Sequence, residues 1–173
     1  SPVISGSMAT VTDVLTEFAA TSDFSGLDSV DVTVTDDTTF ALADTLNDLT
    51  EGTVTATIDS SATLASSSDL AADFTGALTV TLGETTVAAG TLQTLASKTT
   101  GTISIDDATT ITGSGDAIES IIGNTSIRGL DEDETIIATG SPSVAQINAF
   151  ADFTSGTVTA SVTGDMTPLG DLT

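Results

Sequence analysis

Six short segments end on an apolar residue at a near-constant interval: Val34, Ile58, Leu82, Ile105, Leu130 and Val162, in steps of 24, 24, 23, 25 and 32. The segments read VDVTV, VTATI, LTVTL, TISI, SIRGL and VTASV, and their alternation is that of half-buried strands. Each is preceded by apolar residues spaced like one face of a short helix. These are Val14-Leu15-Phe18, Ala43-Leu46-Leu49, Leu70-Phe74, Leu92-Leu95, Ile118-Ile121-Ile122 and Ile147-Phe150. Extra short strands are expected at Ala62–Ala65, Thr109–Thr112 and Thr135–Ala138. A unit this small cannot bury its own apolar stripe, whereas stacked units share one core. The pattern therefore predicts an α/β fold: a right-handed solenoid of about 24-residue coils with parallel strands and short helices. The alternative is an all-β sandwich with the same strands antiparallel. Against it, the connections carry helical spacing instead of two-residue hairpin turns.

Three segments align on a glycine: TTFALADTLNDLTEGTVTATID on Gly52, TLQTLASKTTGTISIDD on Gly101 and PSVAQINAFADFTSGTVTASVT on Gly156. In the first and third, Phe40, Ala43, Leu46 and Leu49 match Val144, Ile147, Phe150 and Phe153 without a gap. The six strands are expected to lie parallel and adjacent in sequence order, with Val32, Ala56, Val80 and Ile103 in one buried column.

Charge then limits the partners. Two Lys+Arg stand against 25 Asp+Glu, for a net charge of -23, and there is no His, Cys, Trp or Tyr. Disulfides, thiolate nucleophiles and Cys-ligated zinc are excluded. A histidine base is excluded too. Two cations cannot neutralise a phosphate backbone, which excludes nucleic acid, nor can they hold the chain to an anionic membrane surface. No run of about twenty apolar residues predicts membrane insertion. The 36 Thr and 20 Ser fit a pleated, half-buried surface. Residues 1–8 read as an expression remnant or edge, and 9–173 as a single repeat domain, a segment of a longer array. Gly164-Asp165-Met166-Thr167-Pro168-Leu169 reads as the start of a further coil.

The order helix, then T-x-G-T-V-T-A-x-I, then an acidic turn resembles tandem repeats of large secreted bacterial surface and adhesin proteins of the cyanobacterial and proteobacterial type. TTGTISIDD, TEGTVTATID and TSGTVTASVTG carry this resemblance over most of the chain. It implies a secreted or cell-surface location. Many such proteins carry calcium-binding nonapeptides, but GGxGxDxUx is missing here. The nearest piece, Gly113-Ser114-Gly115-Asp116, is expected to begin a helix capped by Asp116.

Acidic residues follow the strands at nearly one position: Asp36-Asp37, Asp59, Glu84, Asp106-Asp107, Asp131-Glu132-Asp133-Glu134 and Asp165. Stacked, they form either a solvated ridge or Ca²⁺ sites built from hard oxygen ligands. The metal candidates are Asp106, Asp107, Asp131, Glu132, Asp133 and Glu134. Outward threonines are expected in two ladders, Thr33-Thr57-Thr81-Ser104-Ser161 and Thr55-Thr79-Thr102-Thr159. A flat face of this kind is similar to that of Thr-rich ice-binding solenoids, and β-propensity alone also accounts for it. Lys98 is read as a solvated linker residue, Arg128 as a surface partner of Asp131 or Glu132, and Asn124-Thr125-Ser126 as a turn. Phe18, Phe40, Phe74, Phe150 and Phe153 sit at core spacing and Phe24 in a connection, which leaves no stacking platform for a sugar.

These readings converge on a non-catalytic extracellular structural and interaction module of an adhesin, surface-layer or fibre protein. Its expected partners are neighbouring repeats, copies of itself end to end, or a cell-surface glycan or protein. The alternatives are a self-assembling filament or virion fibre subunit, an ice-binding protein and a polysaccharide-active enzyme.

Overall fold

The computed structural model describes residues 3–20, 29–74 and 76–161. The Phe18 side chain, Phe24, Val162, Asp165 and the 164–169 stretch lie outside the described residues. The elements run β1 (Val3–Gly6), α1 (Met8–Ala20), β2 (Asp31–Val34), α2 (Phe40–Asn47), β3 (Val54–Thr57), a 3-10 helix η1 (Leu64–Asp69) and β4 (Ala77–Thr81). They continue with β5 (Thr86–Ala88), α3 (Ala89–Lys98), β6 (Ile103–Ser104), β7 (Thr110–Ser114), α4 (Gly115–Ile122), β8 (Ile127–Arg128), β9 (Thr135–Thr139), α5 (Val144–Phe153) and β10 (Val158–Ala160). The chain is a mixed α/β protein, divided into two compact units: Ser1–Leu82 with Ala96–Ile103, and Gly83–Leu95 with Ser104–Thr173.

In the first unit the strands lie in the order β1-β2-β3-β4. The three pairs are parallel, with Ile4 opposite Val32, Val32 opposite Val54, and Ala56 opposite Leu78. The Val80 N–H donates to Thr102 O at 2.9 Å, bringing the start of β6 to the β4 edge. Alternate residues point inward, and Val32, Val54, Leu78 and Val80 are all fully buried. Helix α2 covers them with Phe40, Ala43 and Leu46, while α1 contributes Val11 and Leu15. Each large side chain so buried contributes about 1.5–3 kcal/mol. Residues 3–8 belong to this fold, since β1 pairs with β2 and Met8 N–H donates to Asp36 Oδ1 at 2.7 Å.

In the second unit the order is β10-β9-β7-β5, again parallel, with Val87 opposite Ile111, Ile111 opposite Ile136, and Ile136 opposite Val158. Helix α4 seals this sheet with Ala117, Ile118 and Ile121. Nearby, Ile105 N–H donates to Arg128 O at 2.9 Å.

The parallel pairings exclude the antiparallel sandwich for these strands, and a helical element lies in each connection from one paired strand to the next. Several expectations need correction. Val32, Ala56, Val80 and Ile103 are buried but do not form one column, because Val32 opposes Val54. VTASV does not follow SIRGL, because its strand β10 pairs with β9. Ala62–Ala65 is no strand, and no helix spans Leu70-Phe74. The cause is local. Ser66, Ser67 and Ser68 return their hydroxyls to carbonyls three residues back, at 2.6, 2.7 and 2.9 Å, which favours the tight 3-10 turn of η1. Conversely, Thr86–Ala88 is a strand that the alternation does not flag. Helix α4 is capped by Ser114, whose hydroxyl accepts the Ala117 N–H, and Asp116 lies in the first turn.

Candidate functional site

Among the described residues a Thr-x-Gly step recurs three times at the end of a helical connection. Thr50, Thr99 and Thr154 are each buried. Their hydroxyls accept the N–H of Gly52, Gly101 and Gly156 at 3.0, 3.0 and 2.9 Å. Each also reaches the backbone of the preceding strand region. Thr50 donates to Val30 O at 2.6 Å and Thr154 to Glu134 O at 2.7 Å. Thr99 accepts the Leu78 N–H at 2.8 Å. The glycines make that approach possible. A Cβ on Gly52, Gly101 or Gly156 would lie 2.1, 2.0 or 2.4 Å from the carbonyl oxygen of Val30, Leu78 or Glu134. The repeated T-x-G pattern marks this threonine in all three segments, but not that its buried hydroxyl joins two strands.

This clamp also explains the corrected registers. It fixes the entry of each strand, not its last apolar residue. With Gly52 pressed on Val30, Val54 falls opposite Val32. With Gly156 pressed on Glu134, Val158 falls opposite Ile136. The expected threonine ladders shift accordingly: Thr33 faces Thr55, Thr55 faces Ala77, and Thr57 faces Thr79.

The six candidate metal ligands do not share one role. Asp106 Oδ2 accepts the Ser104 hydroxyl at 2.5 Å, and Asp107 is exposed. Asp106 sits against Gly129, whose φ is +82°. A Cβ on Gly129 would stand 2.3 Å from Asp106 Oδ1, so the position has room for glycine alone. Glu134 turns inward and is fully buried. Its Oε1 accepts the Asp131 N–H at 2.7 Å, and Oε2 has no hydrogen-bond partner among the described residues. Asp131, Glu132 and Asp133 are exposed on the turn above, with Glu132 at a φ of +65°. Among the described residues no group of three or more carboxylates is arranged to hold a metal ion.

Several acidic side chains accept backbone N–H groups, among them Asp36 and Asp59 after the strands, Asp31 at the start of β2 and Asp44 within α2. Asp36 takes Met8 N–H, and Asp31 Oδ1 takes Thr53 N–H at 2.9 Å. Asp44 Oδ1 takes Ala71 N–H at 2.7 Å. The Ser61 hydroxyl and N–H hold the Asp59 carboxyl below its ordinary value. Lys98 is not solvated: it ends α3, and its Nζ donates to Leu70 O at 2.6 Å. Arg128 is exposed on β8. Asn124 makes the expected turn, its Oδ1 accepting the Ser126 N–H at 3.0 Å and hydroxyl at 2.7 Å.

One cleft of about 520 Å³ opens in the first unit between the starts of α2 and η1. Asp37, Asp59 and Asp69 line it, together with Thr38, Phe40 and Leu42. Phe40 is only 1% exposed, so it offers no aromatic platform, whereas Leu42 is 43% exposed. Among the described residues no helix is long and apolar enough to cross a membrane. Compared with protein-family models, curated proteins and solved structures, the chain matches none.

Proposed function

We propose that the chain is a non-catalytic structural and interaction module, a segment of a longer right-handed solenoid of about 24-residue coils in a secreted or cell-surface adhesin, surface-layer or fibre protein. The thrice-repeated Thr-x-Gly clamp supports this reading. It uses a buried hydroxyl and a bare backbone to join one strand to the next, as a repeat array requires when each unit is stabilised by its neighbours. The resemblance to repeats of bacterial surface proteins belongs to the same proposal, and so does calcium at the exposed carboxylates Asp107, Asp131, Glu132 and Asp133. Sedimentation of the chain across a wide concentration range tests the assignment: a spacer segment stays monomeric.

The second reading, end-to-end self-association, has one observation in its favour. β1 is the outer strand of the first unit, paired with β2 on one side, and Val3 is 61% exposed. Unpaired strand edges template further pairing. Particle length that grows with concentration and stops growing in a Val3→Lys variant would favour this reading over the spacer.

A further inference from the structure

We propose that a second cleft, beside β8 in the second unit, binds the zwitterion of a free apolar amino acid. The cleft has a volume of about 390 Å³, and its lining includes Arg128, Glu132, Asn124, Ile122, Leu130 and Phe153. Arg128 is one of two basic residues in the chain, and the other, Lys98, is engaged with Leu70 O. Although 25 acidic residues are available, the Arg128 side chain makes no hydrogen bond or ion pair among the described residues. Glu132 lines the same cleft and does not pair with it. Both residues are anchored through their backbones. The Arg128 O accepts the Ile105 N–H at 2.9 Å, and Gly129, the next residue, is pressed on Asp106. Glu132 is held at a φ of +65°, where residues other than glycine are uncommon. Ser155 pins it there, its N–H and hydroxyl donating to Glu132 O at 2.7 and 3.0 Å. One cleft therefore carries two opposite charges that do not satisfy each other.

A third polar group in the lining has its polarity set. Asn124 Oδ1 accepts both the N–H and the hydroxyl of Ser126, which assigns the other branch of the amide as Nδ2. That nitrogen has two donors and no partner among the described residues. A guanidinium and a primary amide both offer N–H groups to a carboxylate, the guanidinium as a planar fork. Glu132 offers acceptors to an ammonium, which has donors only. Ile122, Leu130 and Phe153 are half-buried, so each still has apolar surface for a ligand side chain to cover. The volume falls within the range of small-molecule sites, about 300–1,000 Å³. Net charge selects the same class of ligand. At -23 the chain repels an approaching anion, and Arg128 repels a simple cation inside the cleft. A zwitterion is neutral as a whole and carries one charge for each of Arg128 and Glu132, and an apolar amino acid adds the side chain that the wall accepts.

The test is titration of the ¹⁵N-labelled chain at neutral pH and fixed ionic strength with four small molecules. They are leucine, N-acetyl-leucine, which lacks the ammonium, leucine amide, which lacks the carboxylate, and glycine, which lacks the side chain. Leucine should give saturable shifts confined to residues 122–132 and Phe153. Each of the other three should bind about tenfold more weakly or worse, because each leaves one part of the cleft without its counterpart. Arg128→Gln and Glu132→Gln alter exposed side chains, so the remaining resonances should keep their folded dispersion while leucine binding weakens about tenfold. Glu132→Gln should not weaken N-acetyl-leucine, which has no ammonium to lose. The proposal is overturned by the absence of saturable shifts with leucine, or by shifts spread over the whole chain. It is overturned equally by N-acetyl-leucine or leucine amide binding as tightly as leucine, or by undiminished leucine binding in Arg128→Gln. Neither result bears on whether the chain belongs to an array.

Discussion

At the scale of single residues, the fold depends on a few polar groups placed where apolar ones would be expected. Thr99 accepts two N–H groups from inside the protein, those of Leu78 and Gly101. Thr99→Val keeps the shape and strands both donors, so it should destabilise by about 1–3 kcal/mol, read from chemical denaturation. Gly101→Ala puts a Cβ 2.0 Å from Leu78 O and should cost at least as much, because a backbone must move. Thr38→Val works in the opposite direction, since it removes an unpaired buried hydroxyl. Asp59 gives a pH signature. Its carboxyl is lowered by Ser61, so it adds stability above the unfolded value of 3.8 and loses it as pH falls through the folded one. An NMR titration should place Asp59 below exposed aspartates, and Ser61→Ala should move it back towards 3.8.

At the scale of elements, periodicity and caps explain most of what formed. The three-residue spacing of Phe40, Ala43 and Leu46 became the buried face of α2. In the matching helix α5, only Phe150 is fully buried, and Val144, Ile147 and Phe153 are half-buried. Helix α5 also carries a Ser143/Gln146 capping box, and Ser143→Ala should cost about 1 kcal/mol by thermal melting. Five of the six helix-like segments became α-helices. The sixth, Leu70-Phe74, is buried without helix, because spacing reports which residues go inside but not whether a serine run tightens the chain into a 3-10 turn first. Most strands were legible from alternation, Thr86–Ala88 and the absent strand at Ala62–Ala65 apart, while register was not. Alternation has period two and cannot distinguish Val54 from Ala56 as the partner of Val32, whereas the clamp at Gly52 can. The carboxylates were legible as acidic turns, but not their use. Glu134, one of the metal candidates, is buried beneath its own turn. The cleft carboxylates Asp37, Asp59 and Asp69 are well separated along the chain, and only the fold collects them.

At the scale of the whole molecule, charge and repetition pull in opposite directions. A net charge of -23 repels the folded chain from itself, and repeated clamps hold it. Salt should therefore raise Tm by screening alone. Calcium chloride at matched ionic strength should raise it further if the exposed Asp107, Asp131, Glu132 and Asp133 bind the ion, and Asp107→Asn should remove that excess. Equal melting in the two salts would reduce the acidic turns to a solvated surface. Val80→Asp buries a charge without a partner and should unfold the first unit, seen as loss of circular dichroism. The most direct test of stacking by clamps is residue-resolved amide hydrogen exchange on Thr50→Val, Thr99→Val and Thr154→Val, each alone. Protection should fall first where the lost hydroxyl joined two strands: around Val30 and Val54, Leu78 and Ile103, or Glu134 and Val158 respectively. Unchanged protection at those pairs, or an equal fall throughout the chain for all three variants, would contradict stacking by clamps.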